Sequence, residues 1–166
     1  MSMEYGLLKS LLEKTSRRRM KHKKSDNFET KSVSSSLVRF AIDFKPEFVS
    51  DEVKQIAQLS LFDWFVVSLA GQTEPVSNII RGQIKSDGGA EDCTVIGTTQ
   101  RVPARASALA NGTTSHALDY DDTHFAYLGH PSVAIIPAAI AIGEKTNTKP
   151  EKFWSAVILG LETVTR

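Results

Sequence analysis

The residue types best suited to chemistry are concentrated between residues 116 and 130, where three histidines and three aspartates occur within fifteen positions. Hydrophobic segments rich in small residues flank this stretch on both sides. Carboxylates held between packed helices are costly unless they are paired, hydrogen-bonded or used, and crowded like charges shift pKa values. We therefore treat this stretch, called the polar segment below, as the candidate site. Its histidines and aspartates are His116, Asp119, Asp121, Asp122, His124 and His130.

The geometry of the polar segment depends on whether the preceding helix continues into it. If the helix that begins near Ala104 does continue, Asp119 and Thr123 share one face at i, i+4 spacing and Asp121 points away from them. Structural explanations compete with a functional one. Asp121 and Asp122 are also typical of a solvated helix end or of an N-cap for the next helix, and a lone histidine is often a hydrogen-bonded structural residue.

Histidines and aspartates together also allow a metal site, because imidazole and carboxylate are common ligands. However, the polar segment contains neither an H-x-x-x-H nor an H-E-x-x-H spacing. An Asp-Asp pair on a helix can also hold Mg²⁺ and a diphosphate, but no second acidic motif follows in the sequence. The sequence therefore predicts no metal ligands, and both metal sites remain alternatives.

Apolar residues at helical spacing predict a mainly helical, all-α body on both sides of the polar segment. Residues 34–36 should cap a first short helix, and Ser50 should cap a long, central and largely buried helix that ends at Gly71. Pro75 suits the first position of the next helix, which should end at Gly88. Later helices are expected over residues 104–117, over residues 133–144 and, after a capping box at Thr148 and Glu151, from there to the end of the chain.

One short β-hairpin is the exception to the helical pattern. Residues 93–96 predict a strand and residues 97–100 its turn. The small residues of the helix over 104–117 indicate that its backbone approaches its neighbours closely, although Asn111-Gly112 could break or kink it. The last helix reaches Arg166 without a glycine, asparagine or proline stop, so the sequence predicts a helical domain that is incomplete.

Composition and charge argue against exported and membrane-spanning classes of protein. Cys93 is the only cysteine, which indicates a reducing, intracellular compartment, and no apolar run reaches the ~18 residues of a membrane-spanning helix. The first residues lack the apolar core of a secretory signal, and their four acidic residues count against a mitochondrial presequence. We expect no membrane partner.

Basic charge is confined to the N-terminus. Residues 1–31 carry nine Lys/Arg and four Asp/Glu, whereas residues 32–166 carry eleven and fifteen. Nucleic-acid binding requires a clustered basic face, so we expect no nucleic-acid partner. The sequence therefore predicts a disordered basic arm over residues 1–32 and a helical domain over residues 33–166.

The polar segment and its flanks carry a family resemblance. Residues 108–124, which read ALANGTTSHALDYDDTH, are followed by His130-Pro131-Ser132 and by IPAA at 136–139. This pattern closely resembles the signature of the MmgE/PrpD family of 2-methylcitrate dehydratase and cis-aconitate decarboxylase. The residues LFDW at 61–64 with Gly71, and GLE at 160–162 with Arg166, also resemble that family's N-terminal domain. The resemblance covers residues 33–166.

The resemblance implies a helical domain that is joined, in complete members, to a smaller α+β lid domain with the active site between them. Members dehydrate, decarboxylate or epimerise small polycarboxylates without a metal or organic cofactor, and they form homodimers. They are cytoplasmic in bacteria, and some eukaryotic members are mitochondrial. The resemblance thus implies a small polycarboxylate substrate, no cofactor, a homodimer and a cytoplasmic location, or a mitochondrial one in a eukaryote.

The resemblance also implies particular site residues. Asp119, Thr123 and His130 match positions that line the family's substrate pocket, although His130 lies one residue further along than in some decarboxylases. Histidine is well suited to moving a proton to or from carbon, so His130 is the expected acid–base residue. Asp119 would orient it or hold a substrate hydroxyl. Thr123, Asp122 and His124 are expected to bind substrate.

The expected function is that of an N-terminal fragment of a cofactor-independent dehydratase or decarboxylase. The family's cleft also uses a lysine and another histidine from later sequence that this chain does not contain, so the chain alone should be weakly active or inactive. The alternative is a non-catalytic helical remnant or interaction module whose exposed apolar faces need a partner.

Overall fold

The computed structural model describes residues 32–166, and the predicted basic arm lies outside the described residues except for Ser32. The described residues fall into two compact units, 32–49 and 50–166. In the first unit, helix α1 spans Val33–Asp43 and a 3-10 turn spans Pro46–Phe48. The predicted cap at residues 34–36 is wrong, because the Ser32 hydroxyl accepts the first-turn N–H of Ser35 at 3.2 Å.

The second unit contains five helices and one hairpin in its described residues, so the prediction of a mainly helical fold is confirmed. A short 3-10 turn, Gly71–Thr73, follows the first of these helices. The elements in chain order are α2 (Asp51–Ala70), α3 (Pro75–Asp87), β1 (Cys93–Thr94), β2 (Arg101–Val102), α4 (Ala104–Ser115), α5 (Pro131–Lys145) and α6 (Pro150–Val164).

Helix boundaries follow local sequence signals in α2 and α3. The Ser50 hydroxyl caps α2 by accepting the Val53 N–H, and Pro75 occupies the first turn of α3. α2 ends at Gly71 as predicted, but this glycine has a φ of −75°. It is required for a different reason: a Cβ at this position would overlap the backbone oxygen of Thr114 in α4.

The capping box predicted for the last helix is wrong. Pro150 occupies the first turn of α6, and the cap residue Lys149 makes no side-chain capping bond. The Thr148 hydroxyl instead lies 2.6 Å from that of Thr146. A proline at this position has no N–H to satisfy and starts the helix by its fixed φ, which makes a hydroxyl cap unnecessary there.

The hairpin is shorter than predicted because helix α4 satisfies part of its backbone. β1 and β2 pair antiparallel only over Cys93 with Val102 and Thr94 with Arg101. Beyond them, the Asn111 side chain accepts the Ile96 N–H at 2.9 Å and donates to the Thr94 carbonyl at 3.1 Å. Asn111 therefore anchors the strand to α4, and it neither breaks nor kinks the helix there.

Close packing of α4 on α5 confirms the prediction from small residues. A Cβ on Gly112 would lie 3.2 Å from the Val133 backbone oxygen and 3.5 Å from Pro137, which α5 holds in its interior. These two helices border the polar segment, so their close approach fixes both of its ends.

A network of polar groups ties the hairpin to α5. The Thr94 N–H and hydroxyl donate to the Glu144 carboxylate at 2.8 and 2.7 Å, and Arg101 donates to it at 2.9 Å. Burial alone would raise the pKa of Glu144, but these bonds outweigh it and hold the pKa below its ordinary value. Cys93 is buried beside them and donates to the Ala141 carbonyl at 3.2 Å.

Three apolar clusters form the core of this unit, and the smallest of them contains Cys93, Ala104 and Ala141. Of the other two, the first joins α2, α5 and α6, and the second joins α3, the hairpin region and α4. The buried members are Trp64, Ile136, Val157 and Leu161 in the first cluster and Ile84, Val95, Val102 and Ala110 in the second.

The prediction that α2 is largely buried is wrong. One face of α2 packs on α4, α5 and α6 around the fully buried Trp64, but Leu59, Phe62 and Phe65 are exposed. Phe62 and Phe65 line a groove of about 870 Å³ together with Trp154 of α6. The apolar composition of a helix therefore shows which of its residues can be buried. It does not show which of them another element of this chain covers.

In the described part of the chain, no helix combines the length and the hydrophobicity that a membrane-spanning segment requires.

Candidate active site

The polar segment is a loop between two packed helices. α4 ends at Ser115 with His116 as its C-cap residue, and α5 begins at Pro131 with His130 as its N-cap residue. The helix does not continue through the polar segment, where Asp119 has a left-handed φ of 56°. Aspartate tolerates this conformation better than most residues. Asp119 and Thr123 consequently do not share a helix face.

The imidazole of His130 lies between two aspartates. Its Nε2 is 3.3 Å from Asp119 Oδ1. Its Nδ1 is 3.3 Å from Asp121 Oδ1 and 3.1 Å from the Asp121 backbone oxygen. The structure thus brings the two residues expected to be catalytic, His130 and Asp119, into direct contact.

A second histidine, His116, belongs to the same cluster. Its Nδ1 lies 2.9 Å from Asp121 Oδ1 and 3.2 Å from Oδ2, and its Nε2 lies 3.9 Å from Asp119 Oδ1. The rings of His116 and His130 meet edge to face with centroids 4.7 Å apart. We call these four residues, His116, Asp119, Asp121 and His130, the His–Asp cluster.

Exposure rises steadily across the His–Asp cluster. The Asp121 side chain is fully buried, His130 is 21% exposed, His116 is 45% exposed and Asp119 is 77% exposed. Because the helix does not continue, Asp121 does not point away from its neighbours, and its carboxylate forms the buried side of the cluster. Asp119 forms the exposed side of the cluster.

Asp122 is equally buried but has a different partner. Its carboxylate accepts the Ser132 N–H at 3.2 Å and the Ser132 hydroxyl at 2.7 Å. Ser132 lies in the first turn of α5, so Asp122 caps that helix from a distance and places a negative charge at its positive end. Its assignment to substrate binding stays a prediction.

Thr123 and His124 lie outside the His–Asp cluster. Thr123 is exposed at the surface. His124 braces the loop that follows: its Nδ1 accepts the Tyr127 N–H at 3.3 Å, and its backbone N–H donates to Gly129 at 2.9 Å. The assignment of both residues to substrate binding stays a prediction.

Asp63 on α2 is electrostatically coupled to the site although the sequence analysis gave it no function. Burial raises the pKa of the Asp63 carboxyl above its ordinary value, and the negative charges of Asp122 and Asp121 raise it further. The signal that could have identified Asp63 from the sequence is a single aspartate among the apolar residues in the middle of α2. His116 and Asp121 were part of the polar segment, but the sequence analysis gave neither of them a function, because the resemblance matched only Asp119, Thr123 and His130 to the substrate pocket.

The His–Asp cluster also offers a ligand set for a metal ion. One ligand atom from each of its four residues lies within 4.8 Å of the others. However, His116 Nδ1 and Asp121 Oδ1 are 2.9 Å apart, a hydrogen-bond length. Two ligands of a tetrahedral zinc, each at about 2.0–2.1 Å, lie further apart than that. The distances in the cluster therefore fit a proton-sharing network better than a closed metal site.

Within the described residues, the ion pairs of Lys54, Arg101, Lys145 and Arg166 are made with carboxylates outside the polar segment, namely Asp51, Glu144, Asp92 and Glu162. In the His–Asp cluster itself, positive charge for an anionic ligand can come from protonated imidazoles.

Comparison with known proteins places the chain in a sequence family. Residues 35–166 match the MmgE/PrpD N-terminal domain. The chain is 28% identical over 146 residues to the cis-aconitate decarboxylase-like protein oryM of Aspergillus oryzae (strain ATCC 42149 / RIB 40). That alignment covers 84% of this chain and 30% of the relative, so the chain spans about 30% of the length of the curated relative that it matches.

Proposed function

This chain belongs to the MmgE/PrpD family, and from that premise we propose that it supplies the histidine–aspartate part of the active site of a cofactor-independent lyase for a small polycarboxylate. The observation that carries the proposal is the position of His130. Its Nε2 lies on the exposed side of the site, 3.3 Å from the carboxylate of Asp119, while its Nδ1 contacts the buried carboxylate of Asp121 at 3.3 Å. An imidazole supported on one nitrogen and accessible on the other is suited to proton transfer.

The chemistry follows from the substrate class. In a dehydration, His130 takes the proton from the carbon next to a carboxylate, and the hydroxyl leaves from the adjacent carbon as water after accepting a proton. In a decarboxylation, the C–C bond breaks to release CO₂, and the protonated His130 returns a proton to the carbon that keeps the electron pair. Asp119 pairs with the imidazolium or holds the substrate hydroxyl.

Substrate binding requires groups beyond the His–Asp cluster. Thr123 is exposed and can donate a hydrogen bond to a substrate carboxylate, and we assign His124 and Asp122 to the same wall of the pocket. The family resemblance assigns the cationic contacts to a longer polypeptide, in keeping with the 30% of the curated relative that this chain spans. We also propose that the complete enzyme is a homodimer.

The test is turnover of 2-methylcitrate and cis-aconitate by the longest polypeptide that contains this sequence, with this chain alone measured in parallel. His130→Ala should lower kcat by at least ~10²-fold, because the proton carrier is removed. His22→Ala, outside the proposed site, is the matched control. An unchanged kcat in His130→Ala would remove His130 from this function, and turnover by this chain within tenfold of the longer form would contradict its expected weakness.

A non-catalytic interaction module is the second candidate, favoured by the exposed face of α2 and the groove of about 870 Å³ beside it. Size-exclusion chromatography and thermal melting of this chain test it. A sharp, cooperative unfolding of a monomer would show that the exposed face needs no partner. Metal analysis after dialysis against a chelator tests the remaining alternative, and we expect turnover to survive the chelator.

A further inference from the structure

The buried carboxylate of Asp121 is shared by two imidazoles. Asp121 Oδ1 lies 2.9 Å from His116 Nδ1 and 3.3 Å from His130 Nδ1, and its side chain is fully buried. An ionised carboxylate can only accept hydrogen bonds, so each imidazole nitrogen that bonds to it must carry a proton. The tautomers of both histidines can therefore be inferred from the acceptors that they face.

For His130 the inference rests on two acceptors. Its Nδ1 lies 3.1 Å from the Asp121 backbone oxygen and 3.3 Å from Asp121 Oδ1. A carbonyl oxygen has no proton to give, so Nδ1 is the donor in both contacts. The other nitrogen, Nε2, lies 3.3 Å from Asp119 Oδ1. It carries a proton and donates to this carboxylate when the ring is an imidazolium, and it is the unprotonated nitrogen when the ring is neutral.

For His116 the inference rests on the carboxylate alone. Its Nδ1 lies 2.9 Å from one Asp121 oxygen and 3.2 Å from the other. This nitrogen is therefore also a donor, and the Nε2 of His116 also points towards Asp119, 3.9 Å away. Both imidazoles present the same nitrogen to the same open side of the site.

We propose that Asp121 is the positioning residue of this site: it fixes His116 and His130 in one tautomer, with Nδ1–H inward and both Nε2 atoms facing the substrate side. His116 is thereby a second imidazole on the same side of the site: as an imidazolium it can give its Nε2 proton to a leaving hydroxyl, while the neutral His130 takes a proton from carbon at its own Nε2. This catalytic consequence rests on the proposed function, but the tautomers do not.

Asp122 is the matched control for Asp121. Both residues are 3% exposed and adjacent in sequence, but Asp122 bonds to the N–H and hydroxyl of Ser132. A serine hydroxyl can reverse and accept a bond, so the amide in Asp122→Asn can keep both contacts. In Asp121→Asn the amide oxygen can replace Oδ1, which faces both imidazoles. The amide NH2 then replaces Oδ2, which lies 3.2 Å from His116 Nδ1, so a donor meets a donor at His116 alone.

The two histidines should respond differently to Asp121→Asn. His130 keeps the backbone carbonyl of residue 121 as an acceptor for its Nδ1–H. His116 has no such second acceptor among its hydrogen bonds in the structure, so it should change to the tautomer with Nδ1 unprotonated and accept from the new amide.

The test is long-range ¹H–¹⁵N NMR of the imidazoles in this full chain, with signals assigned by single His→Gln variants. We expect His116 and His130 both as Nδ1–H tautomers in the wild type, a change of His116 in Asp121→Asn, and no change in Asp122→Asn. A proton on Nε2 of either neutral ring in the wild type would overturn the proposal even if a variant fails to fold. So would an unchanged His116 in a folded Asp121→Asn chain.

A kinetic test separates this proposal from the proposed function. In the longest polypeptide that contains this sequence, Asp121→Asn should lower kcat at least ~10-fold with KM changed less than ~3-fold, since loss of the correct tautomer affects proton transfer more than binding. If His130→Ala lowers kcat but Asp121→Asn does not, the positioning role of Asp121 is wrong and the proposed function stands. If the tautomers agree but His130→Ala is fully active, the proposed function is wrong.

Discussion

Asp121 and Asp122 are neighbours in sequence, equally buried and identical in chemistry, yet they serve different parts of the molecule. Asp121 faces two imidazoles in the His–Asp cluster, whereas Asp122 faces the first turn of α5 through Ser132. Burial alone therefore does not distinguish a site residue from a structural one. The type of donor does distinguish them. An acceptor can select the tautomer of an imidazole, whereas a serine hydroxyl has no tautomers.

The largest expected effect on stability is at Asp122. Asp122→Ala leaves the Ser132 N–H and hydroxyl without their carboxylate in a buried position, so it should cost about 2 kcal/mol of unfolding free energy. For a chain of this size, that lowers Tm by about 4–8 °C. Thermal melting checks it, with Asp122→Asn as the control that keeps both bonds. Equal losses in the two variants would show that the capping bonds contribute nothing.

A smaller effect is expected at the partner of Asp122. Ser132→Ala removes the hydroxyl bond of 2.7 Å but keeps the backbone N–H bond at the start of α5, so it should cost about 1 kcal/mol. Urea unfolding measures this difference. The imidazole tautomers of His116 and His130 should be unchanged in Ser132→Ala, and a change there would show that the two aspartates do not act separately.

The smallest effect is expected at Asp63, whose carboxyl pKa is raised first by burial and then by the charges of Asp122 and Asp121. A raised pKa means that the folded state binds the proton more tightly than the unfolded state. The carboxyl of Asp63 therefore favours folding most below its ordinary pKa of 3.8 and loses this contribution as pH rises through the raised value.

Asp63→Asn should consequently raise Tm by about 1 °C near pH 7 and by less near pH 4, the gain being limited because the group is partly solvated. The gain should shrink in an Asp122→Asn background, since one of the two repelling charges is then absent. Melting curves at both pH values check this. A gain at pH 4 as large as at pH 7 would exclude a charge-based origin.

Much of the fold could be predicted because its signals are local. Ser50, Pro75 and Gly88 mark helix ends by their own conformational preferences, and α2 and α3 begin or end where they indicate. The packing of α4 on α5 followed from residues too small to keep the two backbones apart. These predictions needed no knowledge of distant contacts.

The site could be located from the sequence but not assembled from it. The sequence left open whether the helix continues through the polar segment. In the structure the left-handed residue Asp119 turns the chain there, although no glycine or proline marks the place. The burial of Asp121 depends on how α4 and α5 bring His116 and His130 together, which is a long-range property. Likewise, the exposed face of α2 depends on what else packs there and not on its composition.

The backbone contact at Gly71 gives a position remote in sequence control over the alignment of His116 with the rest of the His–Asp cluster. The last turn of α2 touches the Thr114 backbone oxygen, two residues before His116, with no side chain between them. A methyl group at position 71 would overlap the final turn of α4 and change the orientation of the His116 imidazole that follows it. Gly71, which has no side chain, thus sets from outside the site the distance between His116 and His130.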